Sequence, residues 1–334
     1  MNFCITDVPG ITVGHWTDNI AATGCTVILC NEQTVGGVDV RGSSPGTRET
    51  DILGLGKRVE VVHAVMLSGG SAFGLAAADG AMKYLEEKGV GVLVGSNVVP
   101  IVSSAIIFDL GLGDGQVRPD LASGYFACKE ASSDPVEQGS VGAGAGASVG
   151  KVLGPDRATK GGIGTASVDL GNGLIVGAIV VVNAIGSVHD PETGELLAGP
   201  RLEGGIMASS MEILISGKDH KTTGALSNTT IGAVATNANL SKSQANRFAS
   251  SAHNGLALAV RPSHLIGDGD TMFGLATCEK PFEKGSSTTS HDEFNRIIAA
   301  GVCCTSEAIV NAVQFAKGVD LCPSINEMDL QRNT

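Results

Sequence analysis

The sequence predicts an α/β fold made of stacked layers of helix and sheet. Short β-branched runs at 26–29, 59–67, 90–94 and 174–182 are bounded by Gly, Asn or Asp, as strands are. Helical patterns interleave with these runs, and the longest lie late in the chain. The runs joined at Gly171-Asn172-Gly173 carry a hairpin signal, so part of the sheet is antiparallel and a purely parallel wound sheet is disfavoured.

Several of the strand runs read as buried on both faces. A helix is expected over 71–88, where small residues give way to a charged segment and Gly89 supplies a stop. The stretch 131–150 is rich in Gly, Ser and Ala, whereas 215–227 is polar, follows an apolar segment and reads as an exposed linker. A second helix begins after Ser241 as N-cap, runs through Phe248, Ala252, Leu256 and Ala259, and ends before Pro262. A third starts near Ser290 and carries Phe294, Ile297, Ile298, Val302 and Ile309 at helical spacing, a face broad enough for a core helix. No internal repeat is visible, and one continuous core in a single domain is expected over 1–334.

The 334 residues are 43% apolar but only 4% aromatic, and 47 glycines point to close backbone packing and many turns. A formal charge of -12, without a basic run longer than a pair, argues against nucleic acid and anionic lipid as partners. The first residues lack the basic and apolar regions of a secretory signal, and the apolar stretch 174–182 is too short to span a bilayer. A soluble, cytoplasmic protein without a membrane partner is therefore expected. Eight cysteines, none in a CxxC pair or at zinc-ligand spacing, read as reduced and buried, with Cys303 and Cys304 adjacent inside a helix.

Two glycine-rich stretches invite readings that fail on inspection. At 141–151 a phosphate loop would require Gly at 145 and Ser or Thr at 152, where Ala145 and Val152 stand. A dinucleotide fingerprint is unsupported there too, so no cofactor is expected. The series Gly69-Gly70-Ser71-Ala72-Phe73 lacks the closing glycine of a nucleophile elbow and reads as a helix cap. Seven histidines share no short-range spacing, and His63, inside an apolar run, reads as structural.

Chemistry concentrates at 226–240, where Asn228, Thr229 and Thr230 stand between the polar linker and an apolar strand. Thr229 could attack its own preceding carbonyl, convert the amide to an ester and, on hydrolysis, free an α-amine with a reference pKa of about 7.7–8.0. One residue would then hold both nucleophile and base. Asn-Thr-Thr is also a good turn before a strand. Downstream, Asp268 and Asp270 flank Gly269 before another apolar run, and alternate residues of an extended segment face one way. Such a pair can serve a catalytic site, bind a cation or shape a turn; no third ligand is visible, so no metal is expected.

Six ordered blocks, at 9–18, 46–53, 68–80, 108–114, 228–236 and 267–277, give nearly the whole chain a resemblance to the DmpA-type aminopeptidases. That family includes L-aminopeptidase/D-esterases, β-aminopeptidases and nylon-oligomer hydrolases. The resemblance implies a layered αββα sandwich, similar to Ntn-hydrolases and to the ornithine acetyltransferase architecture, and autoproteolysis before Ser or Thr. The cut would fall between Asn228 and Thr229, leaving associated chains 1–228 and 229–334. It places the nucleophile at Thr229, the paired carboxylates at Asp268 and Asp270, the family lysine at Lys151 and the strand-end asparagine at Asn183.

Phe108 stands where some branches carry tyrosine, so a substrate-contacting phenol is replaced by a plain ring. A carboxylate favours the protonated Thr229 amine and the Lys151 ammonium opposes it, so together they can hold the amine near neutrality. Asn183 and backbone N–H groups would form an oxyanion hole. The expected activity is hydrolysis of a small amide or peptide through an acyl-enzyme, and the resemblance implies a homotetramer; acyl transfer to an amine and a non-enzymatic binding role are the alternatives. The substrate stays open among α-peptides, D-residue esters, β-peptides and polyamide oligomers.

Overall fold

The computed structural model describes residues 3–217, 228–280, 289–319 and 322–332. The linker expected at 215–227 therefore lies, from residue 218 on, outside the described residues. Two five-stranded sheets dominate. The first has the order β1-β2-β5-β8-β4, with β1 (Ile11–Asp18), β2 (Thr23–Cys30), β4 (Thr47–Arg48), β5 (Ala64–Ser68) and β8 (Val102–Ile106). The second has the order β11-β12-β15-β17-β3, with β3 (Val35–Val40), β11 (Gly162–Asp169), β12 (Ile175–Asn183), β15 (Thr229–Thr236) and β17 (Thr271–Ala276). Smaller pairings join β6 (Val92–Val94) to β7 (Asn97–Val99), β9 (Ser148–Val149) to β10 (Thr159–Lys160), and β13 (Ser187–His189) to β14 (Leu196–Ala198) and β16 (Val260–Arg261).

Strand alternation sorts the apolar side chains into three cores. Val65 and Leu67 of β5, Ile179 and Val181 of β12, and Ala233 and Ala235 of β15 meet in one core between the sheets. Met66 and Val27 turn outward onto helices α1 (Ala77–Glu87) and α2 (Leu121–Lys129). Val180, Val182 and Val234 turn onto α4 (Lys242–Ala259) and α5 (His291–Gln314). The layers are thus αββα, and central strands buried on both faces explain why their sequences run apolar without alternation. Short helices α3 (Ser210–Ser216) and α6 (Ile325–Arg332) complete the described chain.

Glycine sets how closely these layers approach. Gly37 and Gly274 are register partners on β3 and β17, and a Cβ at either would run into the Ala245 backbone of α4. Each late helix begins where the sequence placed it: the Ser241 side chain caps α4 in a reciprocal box with Gln244, and Ser290 caps α5. The 71–88 segment opens as a 3-10 turn over Ser71–Ala76 before α1. By length and composition α5 could cross a membrane, but it packs on β11, β12 and α4 as a core helix.

Three local expectations are corrected. Of the run at 59–67, only the part from Ala64 joins β5: Glu60 and Val62 instead pair with the 34–36 segment entering the second sheet, and one segment cannot run in both sheets. The 90–94 run is a strand only over Val92–Val94, in an exposed hairpin with Leu93 75% accessible, because Val90 still donates to Leu85 at the end of α1. Cys303 is exposed, since it sits one residue round α5 from the buried Cys304, and Cys278 is half-buried; all eight cysteines are unbridged.

Candidate active site

Strand direction brings the sequence-distant candidates to one end of the second sheet. β12 and β15 are antiparallel, β15 and β17 parallel, so the last residue of β12, the first of β15 and the residues preceding β17 converge. Thr229 opens β15, only 4% accessible, with Asn183 as its register partner. Asn228 forms a parallel bridge with Asp268, and the Gly269 N–H donates to the Asn228 carbonyl oxygen at 3.1 Å. The Thr229 hydroxyl donates to that same oxygen. The carbonyl of the 228–229 peptide bond therefore carries two donors, and the nucleophile candidate lies against it. Gly269 permits this approach: an added Cβ would stand 2.9 Å from Thr229 Oγ1 and 2.7 Å from the Ser44 carbonyl oxygen.

Asp268 and Asp270 reach this region as expected, yet they hold different groups. The Leu265 N–H donates to Asp268 Oδ2 at 2.7 Å, while Asp268 Oδ1 is buried without a hydrogen-bond partner among the described residues. Asp270 Oδ1 accepts the Thr230 N–H at 2.7 Å, and its Oδ2 accepts both the backbone N–H of His264, at 3.0 Å, and His264 Nδ1, at 2.8 Å. Backbone bonds from Arg41 to the Asp270 carbonyl (3.0 Å) and from Ser44 to the Asp268 carbonyl (2.9 Å) pin the segment from the other side. Burial, reinforced by the nearby Asp270 carboxylate, pushes the Asp268 carboxyl up to about 7; the Leu265 N–H and Lys151 oppose this.

Lys151 follows a left-handed Gly150 (φ 71°), a turn that brings its ammonium back to Asn183. Lys151 Nζ donates to Asn183 Oδ1 at 2.7 Å and to the Asn183 carbonyl at 3.2 Å. The Ser148 N–H also donates to Asn183 Oδ1, at 3.1 Å, so Nδ2 must be the atom that donates to the Phe108 carbonyl at 3.1 Å. Phe108, singled out for its ring, thus touches the site through its backbone. Burial pulls the Lys151 ammonium down to about 7, against the attraction of Asp268 and, more weakly, Asp109. A neutral-range amine and a neutral-range carboxyl therefore lie in one buried site, as acid–base chemistry near pH 7 requires.

Sequence reasoning assigned no role to Gly269 or His264. The signal for Gly269 was its place between two paired carboxylates; His264 carried none, because its partner Asp270 is defined only by the fold. Among the described residues no group of three or more His, Cys, Asp or Glu side chains is arranged to hold a metal ion.

Fold and site together define the class: a layered αββα protein whose fold is similar to that of Ntn-hydrolases, with a buried threonine at the start of a central strand. The pattern of Peptidase family S58 matches residues 4–322, and the chain belongs to this family of hydrolases acting on peptide and amide bonds. A protein of Mycobacterium tuberculosis (strain H37Rv), described as an uncharacterized aminopeptidase, is 44% identical over 342 residues, covering 97% of each chain. A 6-aminohexanoate-oligomer endohydrolase of Kocuria sp. is 33% identical over 286 residues, 84% of this chain and 77% of that one. Among solved structures, the L-aminopeptidase D-Ala-esterase/amidase of Ochrobactrum anthropi, described as a new variant of the Ntn-hydrolase fold, matches with a TM-score of 0.72. It covers 99% of this chain and 93% of its own at 19% identity, a likeness of fold.

Proposed function

We propose that the chain cuts itself between Asn228 and Thr229 and then hydrolyses small linear amides or peptides bearing a free amine, with Thr229 as nucleophile. The observation that carries this reading is the convergence of the Thr229 hydroxyl and the Gly269 N–H on the Asn228 carbonyl oxygen. In the first step Thr229 Oγ1 bonds to the Asn228 carbonyl carbon, and Asp268 takes the hydroxyl proton and delivers it to the departing nitrogen. The C–N bond breaks, an ester forms, and water hydrolyses it to an Asn228 carboxylate and a free Thr229 amine and hydroxyl. Gly269 N–H stabilises the oxyanion.

In the cut enzyme the Thr229 amine takes the hydroxyl proton as Oγ1 attacks a substrate carbonyl, and passes it to the leaving amine. Water then releases the acid from the acyl-Thr229 ester. Asn183 Nδ2 and Gly269 N–H serve as oxyanion donors, and Lys151 fixes the Asn183 amide. Asp268 and Asp270 orient the new N-terminus. The two products stay together because β15, from the 229–334 chain, is hydrogen-bonded to β12 of the 1–228 chain along eight residue pairs. Substrates with a primary amine agree with the names of the relatives, aminopeptidase and 6-aminohexanoate-oligomer endohydrolase.

The test is to trap the acyl-enzyme with a slowly hydrolysed aminoacyl ester and locate the added mass. The reading expects it on Thr229 at the head of the 229–334 chain. Turnover of aminoacyl amides with the acyl group on any other residue would contradict it.

A further inference from the structure

We infer that His264 is a positioning residue for Thr229, acting through Asp270; the inference rests on the reading of Thr229 as nucleophile. His264 has a left-handed backbone (φ 60°), uncommon for a residue with a side chain. That conformation brings its own N–H and its ring Nδ1 to the same oxygen of Asp270, at 3.0 and 2.8 Å. The other oxygen of Asp270 accepts the N–H of Thr230, the residue next to the nucleophile. The following residue, Leu265, gives its N–H to Asp268. One dipeptide, His264-Leu265, therefore sets the orientation of both carboxylates.

The ring is itself supported. His253, on α4, packs edge-on against it with ring centroids 4.9 Å apart and directs Nε2 to the Asp39 carbonyl at 3.0 Å. Because a carboxylate oxygen can only accept, His264 Nδ1 carries the proton that faces Asp270. Without that donor Asp270 keeps the backbone N–H bonds of Thr230 and His264, one on each oxygen, but loses the one side-chain bond that restrains the tilt of its carboxylate. The Thr230 bond to Asp270 then loosens at the start of β15, and Thr229 Oγ1 drifts from the Asn228 carbonyl in the precursor and from the substrate carbonyl in the cut enzyme. A drift of about 1 Å costs roughly 100-fold in rate.

The experiment compares His264→Asn with His264→Gln, following self-cleavage by intact mass and then kcat and KM on an aminoacyl p-nitroanilide. Asn tolerates the left-handed backbone and places its Nδ2 near the position of Nδ1, whereas the Gln amide reaches farther, toward the position of Nε2. H264N is expected to cut and turn over within about threefold of wild type, and H264Q to be slowed roughly 10- to 100-fold in both steps with KM nearly unchanged. H264N and H264Q both matching wild type, or both slowed equally while melting like wild type, would overturn the inference. A wild-type chain that never cuts would overturn the underlying reading, and the inference with it; a wild type that cuts beside two fully active variants removes the role of His264 alone.

Discussion

Asn183 and Thr229 face each other as register partners across the antiparallel pair β12–β15, the last residue of one strand opposite the first of the other. The pairing puts the Asn183 side chain, its amide oriented by Lys151, Ser148 and Phe108, on the same face of the sheet as that of Thr229. Both candidates therefore owe their positions to a deeply buried strand pair of the second sheet, where β12 and β15 show almost no accessible side chain. Rigid elements of this kind hold reacting groups more closely than loops do.

Asn183→Asp tests the amide. The substitution keeps the shape but replaces the Nδ2 donor with a carboxylate oxygen facing the Phe108 carbonyl, and it favours a protonated Lys151. Loss of one oxyanion donor lowers kcat by about 10²–10³-fold. Self-cleavage rate and kcat are both expected to fall, with KM changed little.

Gly269→Ala tests the approach of the two donors. The backbone N–H survives, but the methyl group would stand 2.9 Å from Thr229 Oγ1 and 2.7 Å from the Ser44 carbonyl oxygen. The hydroxyl must shift, so the half-time of self-cleavage, followed by gel or mass, should lengthen by roughly tenfold or more.

Asp268→Asn tests the electrostatics through stability. With its carboxyl raised from 3.8 to about 7, Asp268 contributes stability that is full below pH 4 and is lost as the pH rises to 7. Lys151, lowered from 10.5 to about 7, contributes stability that is present above pH 10 and is lost as the pH falls through 7. The two together place a local minimum of stability near neutrality. In an uncut Thr229→Ala background the asparagine variant should melt higher than its parent at pH 7 and lose the Asp268 share of the fall between pH 4 and 7; in the wild-type background it should be uncut and inactive. A melting temperature at pH 7 below that of the Thr229→Ala parent contradicts the assignment.

Gly274→Val tests the layer spacing. The side chain would enter the Ala245 backbone of α4 beneath a sheet already closed by Gly37. Overpacking of this kind costs about 1–3 kcal/mol. Measured in an uncut Thr229→Ala background, so that one species unfolds, melting should drop by several degrees.

Much of the fold was legible because local signals agreed with the layers. Ser241 and Ser290 cap the helices they were assigned, and Gly171-Asn172-Gly173 turns β11 into β12. The 59–67 run misled because its first residues pair with the other sheet, a tertiary choice that no local pattern encodes. At the site, Thr229, Asp268, Asp270, Lys151 and Asn183 were legible through resemblance to a family, and the structure brings them to one end of the sheets. The His264 contact to Asp270 was not, since the fold alone defines that pair, nor were the backbone roles of Gly269 and Phe108, since a donated N–H or accepting carbonyl leaves no mark in residue type.

The most direct measurement of the central claim is the intact mass of wild-type and Thr229→Ala protein over time, with the new N-terminus sequenced. The expected result is wild-type chain resolving into 1–228 and 229–334 with threonine at the new N-terminus, while the variant remains whole and does not hydrolyse aminoacyl amides. Cleavage of the variant at the same bond, or amide hydrolysis by a wild-type chain that stays whole, would contradict it.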